Sequence, residues 1–127
     1  MLITAIQIRR LENTQSRLLG IAAVTLDQMI VIHDIRILKG SDSLFLAMPS
    51  RQIKPKTFRD VVHPINSDAR QTFERLIFAA YEEALSNDYR QLDLTLKEGV
   101  SVDCFYDLSY ADYDVVPRPD LVTGLLE

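Results

Sequence analysis

At 127 residues, 47% hydrophobic and 25% charged, the chain has the composition of one ordinary globular domain with a modest core. No apolar run approaches the roughly 20 residues a membrane helix needs, and MLITAIQIRR places its charges after its apolar stretch, unlike a secretory leader. One cysteine, Cys104, excludes an internal disulfide and suits a reducing cytoplasm, the expected location.

Four strands are expected first, in an antiparallel meander. Ile3 to Arg10 alternates apolar and polar residues, Glu12 to Ser16 is a turn, and Leu18 to Leu26 is rich in small and β-branched side chains. Asp27-Gln28 has the chemistry of a hairpin turn into a third strand, Met29 to Leu38, and Leu44 to Met48 is a fourth that ends at Pro49. Ser50 to Lys56 gathers Arg51, Lys54 and Lys56 around Pro55 with only Ile53 apolar, so a loop is expected there, followed by a fifth strand from Phe58 to His63. Asn66 or Ser67 then caps a helix, with Asp68 near its positive end and Ala69, Phe73, Leu76, Ile77, Ala80 and Leu85 at helical spacing. Its apolar face has only the sheet to pack on.

Beyond residue 88, Leu92, Leu94 and Leu96 alternate with polar residues, and Val100, Val102, Cys104 and Tyr106 repeat the pattern after Glu98-Gly99. A second hairpin turning at Glu98-Gly99 is the expectation, with an extended, tyrosine-bearing stretch from Asp107 onward. The fold class is therefore α+β: a meander sheet of four to five short strands, one packed amphipathic helix, and a β-like C-terminal extension. The organisation expected is a core domain over 1–88 and an acidic extension over 89–127.

Charge divides ten residues earlier, within the helix. Residues 1–78 carry eleven Lys and Arg against seven Asp and Glu, and residues 79–127 carry three against eleven. A basic body with an acidic extension results, and because salt screens charges beyond about 10 Å, the net −4 does not exclude a polyanionic partner.

Enzyme chemistry finds little support. There is no phosphate-cradling glycine-rich loop, no CxxC and no HExxH, and the two histidines lie thirty positions apart. His33 and His63, with a carboxylate such as Asp60, make a weak metal set, and Cys104 has no basic neighbour to activate it. No catalytic residue, cofactor or metal is expected. Arg51, Lys54, Lys56 and Arg59, with Arg70 one turn into the helix, could instead form a phosphate-contacting surface, which Arg9, Arg10, Arg36 and Lys39 would extend if those strand ends face the same way. Exposed loops also carry such residues for solubility alone, and no aromatic stacking partner is evident within the cluster.

Three segments, VIHDIRIL (31–38), LFLAMPSR (44–51) and FRDVVHPIN (58–66), together resemble the SpoVG family of small bacterial regulators, in order and spacing, and the resemblance covers roughly residues 1–85. It implies a dimer with an antiparallel sheet and packed helix that binds DNA or RNA to tune expression, with Arg51, Lys54, Lys56, Arg59 and Arg70 as contact candidates. Two departures stand out: the helix continues as FAAYEEALSNDYRQ, with Glu82, Glu83 and Asp88 where the family is usually basic, and about forty residues follow it. Those residues could complete the core, fold back on the basic surface, or dock a protein partner through Tyr106, Tyr110 and Tyr113. Completing the core is the favoured role for 89–106, because their alternation suits buried strands. Unpaired sheet edges favour a homodimer by edge pairing.

Overall fold

The computed structural model describes residues 1–12 and 15–101 in full and the backbone of 113–118. Strands β1 (Leu2–Arg10), β2 (Leu18–Leu26), β3 (Ile30–Lys39) and β4 (Leu44–Ala47) form the expected meander. β5 (Ser50–Lys54) and β6 (Thr57–Asp60) pair only with each other, helix α1 spans Ser67–Ser86, and β7 (Gln91–Ser101) and β8 (Tyr113–Arg118) follow. Among the described residues the main sheet has six antiparallel strands in the order β4-β3-β2-β1-β7-β8, so the first strand made lies inside it.

Local chemistry explains the corners. Asp27 and Gln28 both have positive φ, 52° and 57°, the requirement of a tight turn whose twist matches its strands. The Asp27 carboxylate accepts from the Leu2 amide at 2.8 Å, and the Gln28 amide donates to Thr4 Oγ1 at 3.1 Å, which ties the turn to β1. Asn66 rather than Ser67 is the helix cap: its side chain accepts from the Ala69 amide at 2.8 Å. Helix α1 buries Phe73, Leu76, Ile77, Ala80, Tyr81 and Ala84, while Leu85 turns out to be exposed, one position past the buried stripe.

The core lies between α1 and one face of the sheet. Ile6 and Ile8 of β1, Ala22 and Val24 of β2, Ile35 and Ile37 of β3 and Leu92 and Leu94 of β7 are each no more than 1% exposed. Each of the Ile, Val and Leu side chains contributes about 1.5–3 kcal/mol by leaving water. The alternate positions, Gln7, Arg9, Ile21, Arg36 and Asp93, lie on the far face.

Three expectations need correction. Ser50–Lys56 is not a loop: Ser50–Lys54 is a strand, and Pro55 with Lys56 (φ 64°) turns it into β6. The fifth strand does not join the sheet, since every residue from Arg51 to Asp60 is exposed and the hairpin has no apolar face to bury there. Finally, Glu98-Gly99 is not a hairpin turn. One strand runs through it and pairs with β1, Ile3 opposite Val100 and Ala5 opposite Thr95, leaving residues 96–99 as a wide bulge opposite Thr4. Gly99 (φ +74°) supplies the left-handed backbone this needs, and a Cβ there would sit 2.9 Å from the Leu2 Cβ. The Val102–Tyr106 half of the expected hairpin lies outside the described residues.

Candidate functional site

Register sorts the basic residues of the hairpin. Arg51 lies directly opposite Arg59, Lys54 opposite Thr57, Gln52 opposite Phe58 and Ser50 opposite Asp60. Alternation along β6 puts Thr57 and Arg59 on one face, so Arg51, Lys54 and Arg59 share it, while Ser50, Gln52, Phe58 and Asp60 share the other. Like charges directly opposite each other destabilise a two-stranded ribbon. No ion pair among the described residues relieves Arg51 or Arg59. Lys56, at the turn, holds a positive φ that position usually gives to glycine. The ribbon, exposed from Arg51 to Asp60, presents a cationic array to an anion.

Arg70 is placed differently. It sits at the first turn of α1 and donates from Nη2 to the Leu46 carbonyl at 3.4 Å, which fastens the helix start to β4, the strand that leads through Pro49 into the hairpin. Of the residues expected to extend the surface, Arg10 is already engaged: its Nε donates to the Tyr89 carbonyl at 2.7 Å and its Nη2 pairs with Asp88 at 2.8 Å. Arg90 pairs likewise with Glu12 at 2.7 Å, and this hydrogen bond and charge hold the Glu12 carboxyl below its ordinary pKa. These pairs fasten the loop after α1 to the end of β1. Arg9 and Arg36, by contrast, belong to one transverse row on the far face, because Ile21 lies opposite both. Lys39, exposed, ends β3.

A cavity of about 350 Å³ opens where the hairpin overlooks that far face, lined by Ile21, Asp34, Arg36, Pro49, Ser50 and Phe58. Phe58, 65% exposed, stands on the opposite face of the ribbon from Arg51, Lys54 and Arg59; in the sequence it begins the expected fifth strand. Asp34 is set by a β-bulge. Ala22 pairs with Ile35 and Val24 with Ile32, so His33 and Asp34 together oppose one residue, and Asp34 takes φ 61°. A second cavity of similar size, lined by Leu26, Met48, Pro64 and Phe73 among others, lies under the HPIN turn and is apolar.

His63 is exposed with Nδ1 3.0 Å from the Pro64 carbonyl, and among the described residues no three His, Cys, Asp or Glu side chains gather as metal ligands. Cys104, Tyr106 and Tyr110 lie outside the described residues. No helix among the described residues is long and apolar enough to cross a membrane.

Comparison with known proteins decides the family. A family model described as SpoVG matches residues 1–83, about two-thirds of the chain. The chain belongs to the SpoVG family. It is similar to a "Putative septation protein SpoVG" of Phytoplasma australiense, 42% identical over 87 residues, which are 68% of this chain and 90% of that one. A protein of the same name from Oceanobacillus iheyensis is 44% identical over 82 residues, 65% of this chain and 84% of its own. The "Putative septation protein SpoVG 2" of Listeria monocytogenes is 39% identical over 103 residues, 81% of this chain and the whole of that protein. The SpoVG match thus contains the meander, the basic hairpin and most of α1, and ends before β7 and β8.

Proposed function

We propose that this SpoVG-family chain is a non-catalytic cytoplasmic regulator that binds DNA or RNA and thereby modulates gene expression and septation. Arg51, Lys54, Lys56 and Arg59 of the hairpin are the main phosphate contacts, and Arg70 contributes from the start of α1. The observation that carries this reading is the pairing of Arg51 with Arg59, beside Lys54, on a hairpin with no buried face. Such a ribbon gains from a polyanion that neutralises it. Contacts of this kind position a protein on nucleic acid without reading its sequence. The names of these relatives, septation proteins, support the septation role.

A homodimer fits the same reading. Among the described residues β4 and β8 are the outer strands of the sheet, and their outward backbone groups can pair with a second copy. Two hairpins on one particle would strengthen a weak binder through avidity. Light scattering at micromolar concentration reads the mass directly; a monomer would remove this part of the proposal. The outer position of β8 among the described strands also favours a second reading, in which the acidic, tyrosine-bearing extension docks a protein partner.

Binding of labelled single-stranded RNA and of duplex DNA across a salt series tests the main proposal. Four phosphate contacts from the hairpin predict a log–log salt slope of about −3 for single strands and nearer −4 for duplex. Arg51→Glu with Lys54→Glu should abolish binding and leave the thermal transition in place. Retained affinity in a folded double variant would reject the hairpin as the contact surface.

A further inference from the structure

We propose that the cavity between hairpin β5–β6 and the far face of the sheet is a nucleobase pocket that selects guanine from single-stranded RNA or DNA. The inference rests on the nucleic-acid reading above and adds to it a site that reads base identity.

Three groups of complementary chemistry line one space. Phe58 offers an aromatic face at 65% exposure, with Ile21 and Pro49 as further apolar wall. Single-stranded recognition depends on such aromatic surfaces, because an unstacked base finds on them what it loses from its neighbours. Arg36 supplies a cation that suits a nucleotide's phosphate, and Ser50 a hydroxyl. Asp34 supplies a carboxylate, and it lies in the same cavity as Arg36 without an ion pair to it. A volume of about 350 Å³ has room for one purine and part of its sugar, and the interior of a folded duplex could not enter it.

Asp34 specifies the base. An ionised carboxylate accepts hydrogen bonds and donates none. On the Watson–Crick edge, guanine alone presents two adjacent donors, N1–H and the N2 amine, which match the two carboxylate oxygens. Adenine and cytosine each place a ring acceptor beside their amine, and uracil flanks its single N–H with two carbonyls, so each would set an acceptor against the carboxylate. The backbone supports a positioned role. Asp34 holds φ 61° in a one-residue bulge whose left-handed position is ordinarily glycine's. Strain of this sort persists where the surrounding structure imposes it, and it concentrates at binding sites. Asp34 is exposed and serves no other partner among the described residues that would account for it.

The test uses the full chain and fluorescein-labelled octauridylate carrying guanosine, adenosine or inosine at one central position, with plain octauridylate as reference. Guanosine should bind roughly tenfold or more tighter than adenosine, in line with the discrimination of a two-bond base contact. Inosine, which keeps N1–H and lacks the N2 amine, should fall between them. Asp34→Asn should level guanosine with adenosine by weakening guanosine, and should not weaken octauridylate. Asp34→Gly should do the same while keeping the left-handed backbone, so a folding defect in one variant does not decide the matter. Phe58→Ala should weaken every oligomer roughly tenfold, since stacking is indifferent to base. Equal binding of guanosine and adenosine by the native chain overturns the pocket and leaves the hairpin reading standing. So does a guanosine preference that survives in a folded Asp34 variant. No binding of any oligomer at low salt overturns the nucleic-acid reading itself, and the pocket with it.

Discussion

Truncation after Ser86 should destroy the fold, whereas truncation after Ser101 should preserve it. The shorter fragment keeps the whole SpoVG match but loses β7, which pairs along β1 from Leu2 to Arg9. Leu92, Leu94 and Leu96 are each no more than 2% exposed in the intact chain. At 1.5–3 kcal/mol for each buried side chain, their removal costs roughly 5–9 kcal/mol before any loss of ladder hydrogen bonds. That loss is comparable to the total stability of a small domain, about 5–15 kcal/mol. Thermal and urea unfolding followed by circular dichroism should show no cooperative transition for 1–86 and a clear one for 1–101, shifted downward by the loss of β8. Leu94→Ala is the point-substitution form of the same test and should cost about 2–5 kcal/mol. A 1–86 fragment that melts cooperatively near the temperature of the intact chain would refute the reasoning, and with it the placement of β7 in the core.

Three further perturbations address single features. Asn66→Ala should cost about 1 kcal/mol through the lost cap, read as a lower urea midpoint at unchanged slope, while Ser67→Ala should cost much less. Gly99→Ala should cost about 1–3 kcal/mol, since it strains a φ of +74° and drives a Cβ against Leu2; an unchanged midpoint would mean that the bulge relaxes freely. Burial raises the Tyr81 phenol above its ordinary pKa of 10.0, so the fold favours the neutral ring. Its contribution is complete below pH 10 and is lost as pH rises through the raised folded value. The melting temperature should therefore fall above pH 10 in the native chain and fall less in Tyr81→Phe.

The first four strands and the helix were legible because each has a buried side, and burial on one face imprints a period on the sequence. Ile6 and Ile8 alternate with Gln7 and Arg9, and Phe73, Leu76, Ile77 and Ala80 keep helical spacing. The β5–β6 hairpin has no buried side, so nothing constrains Arg51–Lys54 to alternate, and composition alone suggested a loop. Pro55-Lys56 was the available turn signal, obscured because the residue in the left-handed position is lysine. Gly99 misled in the opposite way. A positive φ was correctly suggested by glycine, but it serves a bulge inside one strand and not a turn between two. The bulge at His33-Asp34 had no sequence signal at all, since aspartate stands where glycine would have announced it. The contact candidates were legible as residue types, yet the register that sets Arg51 against Arg59, and the cavity that gathers Asp34 and Arg36 of β3 with Phe58 of β6, exist only in the folded chain.

The order of strands in the sheet also has a consequence for the chain as it is made. β1 is synthesised first and acquires its second neighbour last, Arg9 meeting Gln91 and Leu2 meeting Ser101. At about 5–20 residues per second, translation takes on the order of 4–20 s to deliver β7 after β1 has emerged. During that interval one long edge of β1, with the apolar Ile6 and Ile8 beside it, has no strand to pair with. The nascent protein is therefore most open to chaperones, to proteases and to its own neighbours on a polysome in the seconds before its last core strand arrives.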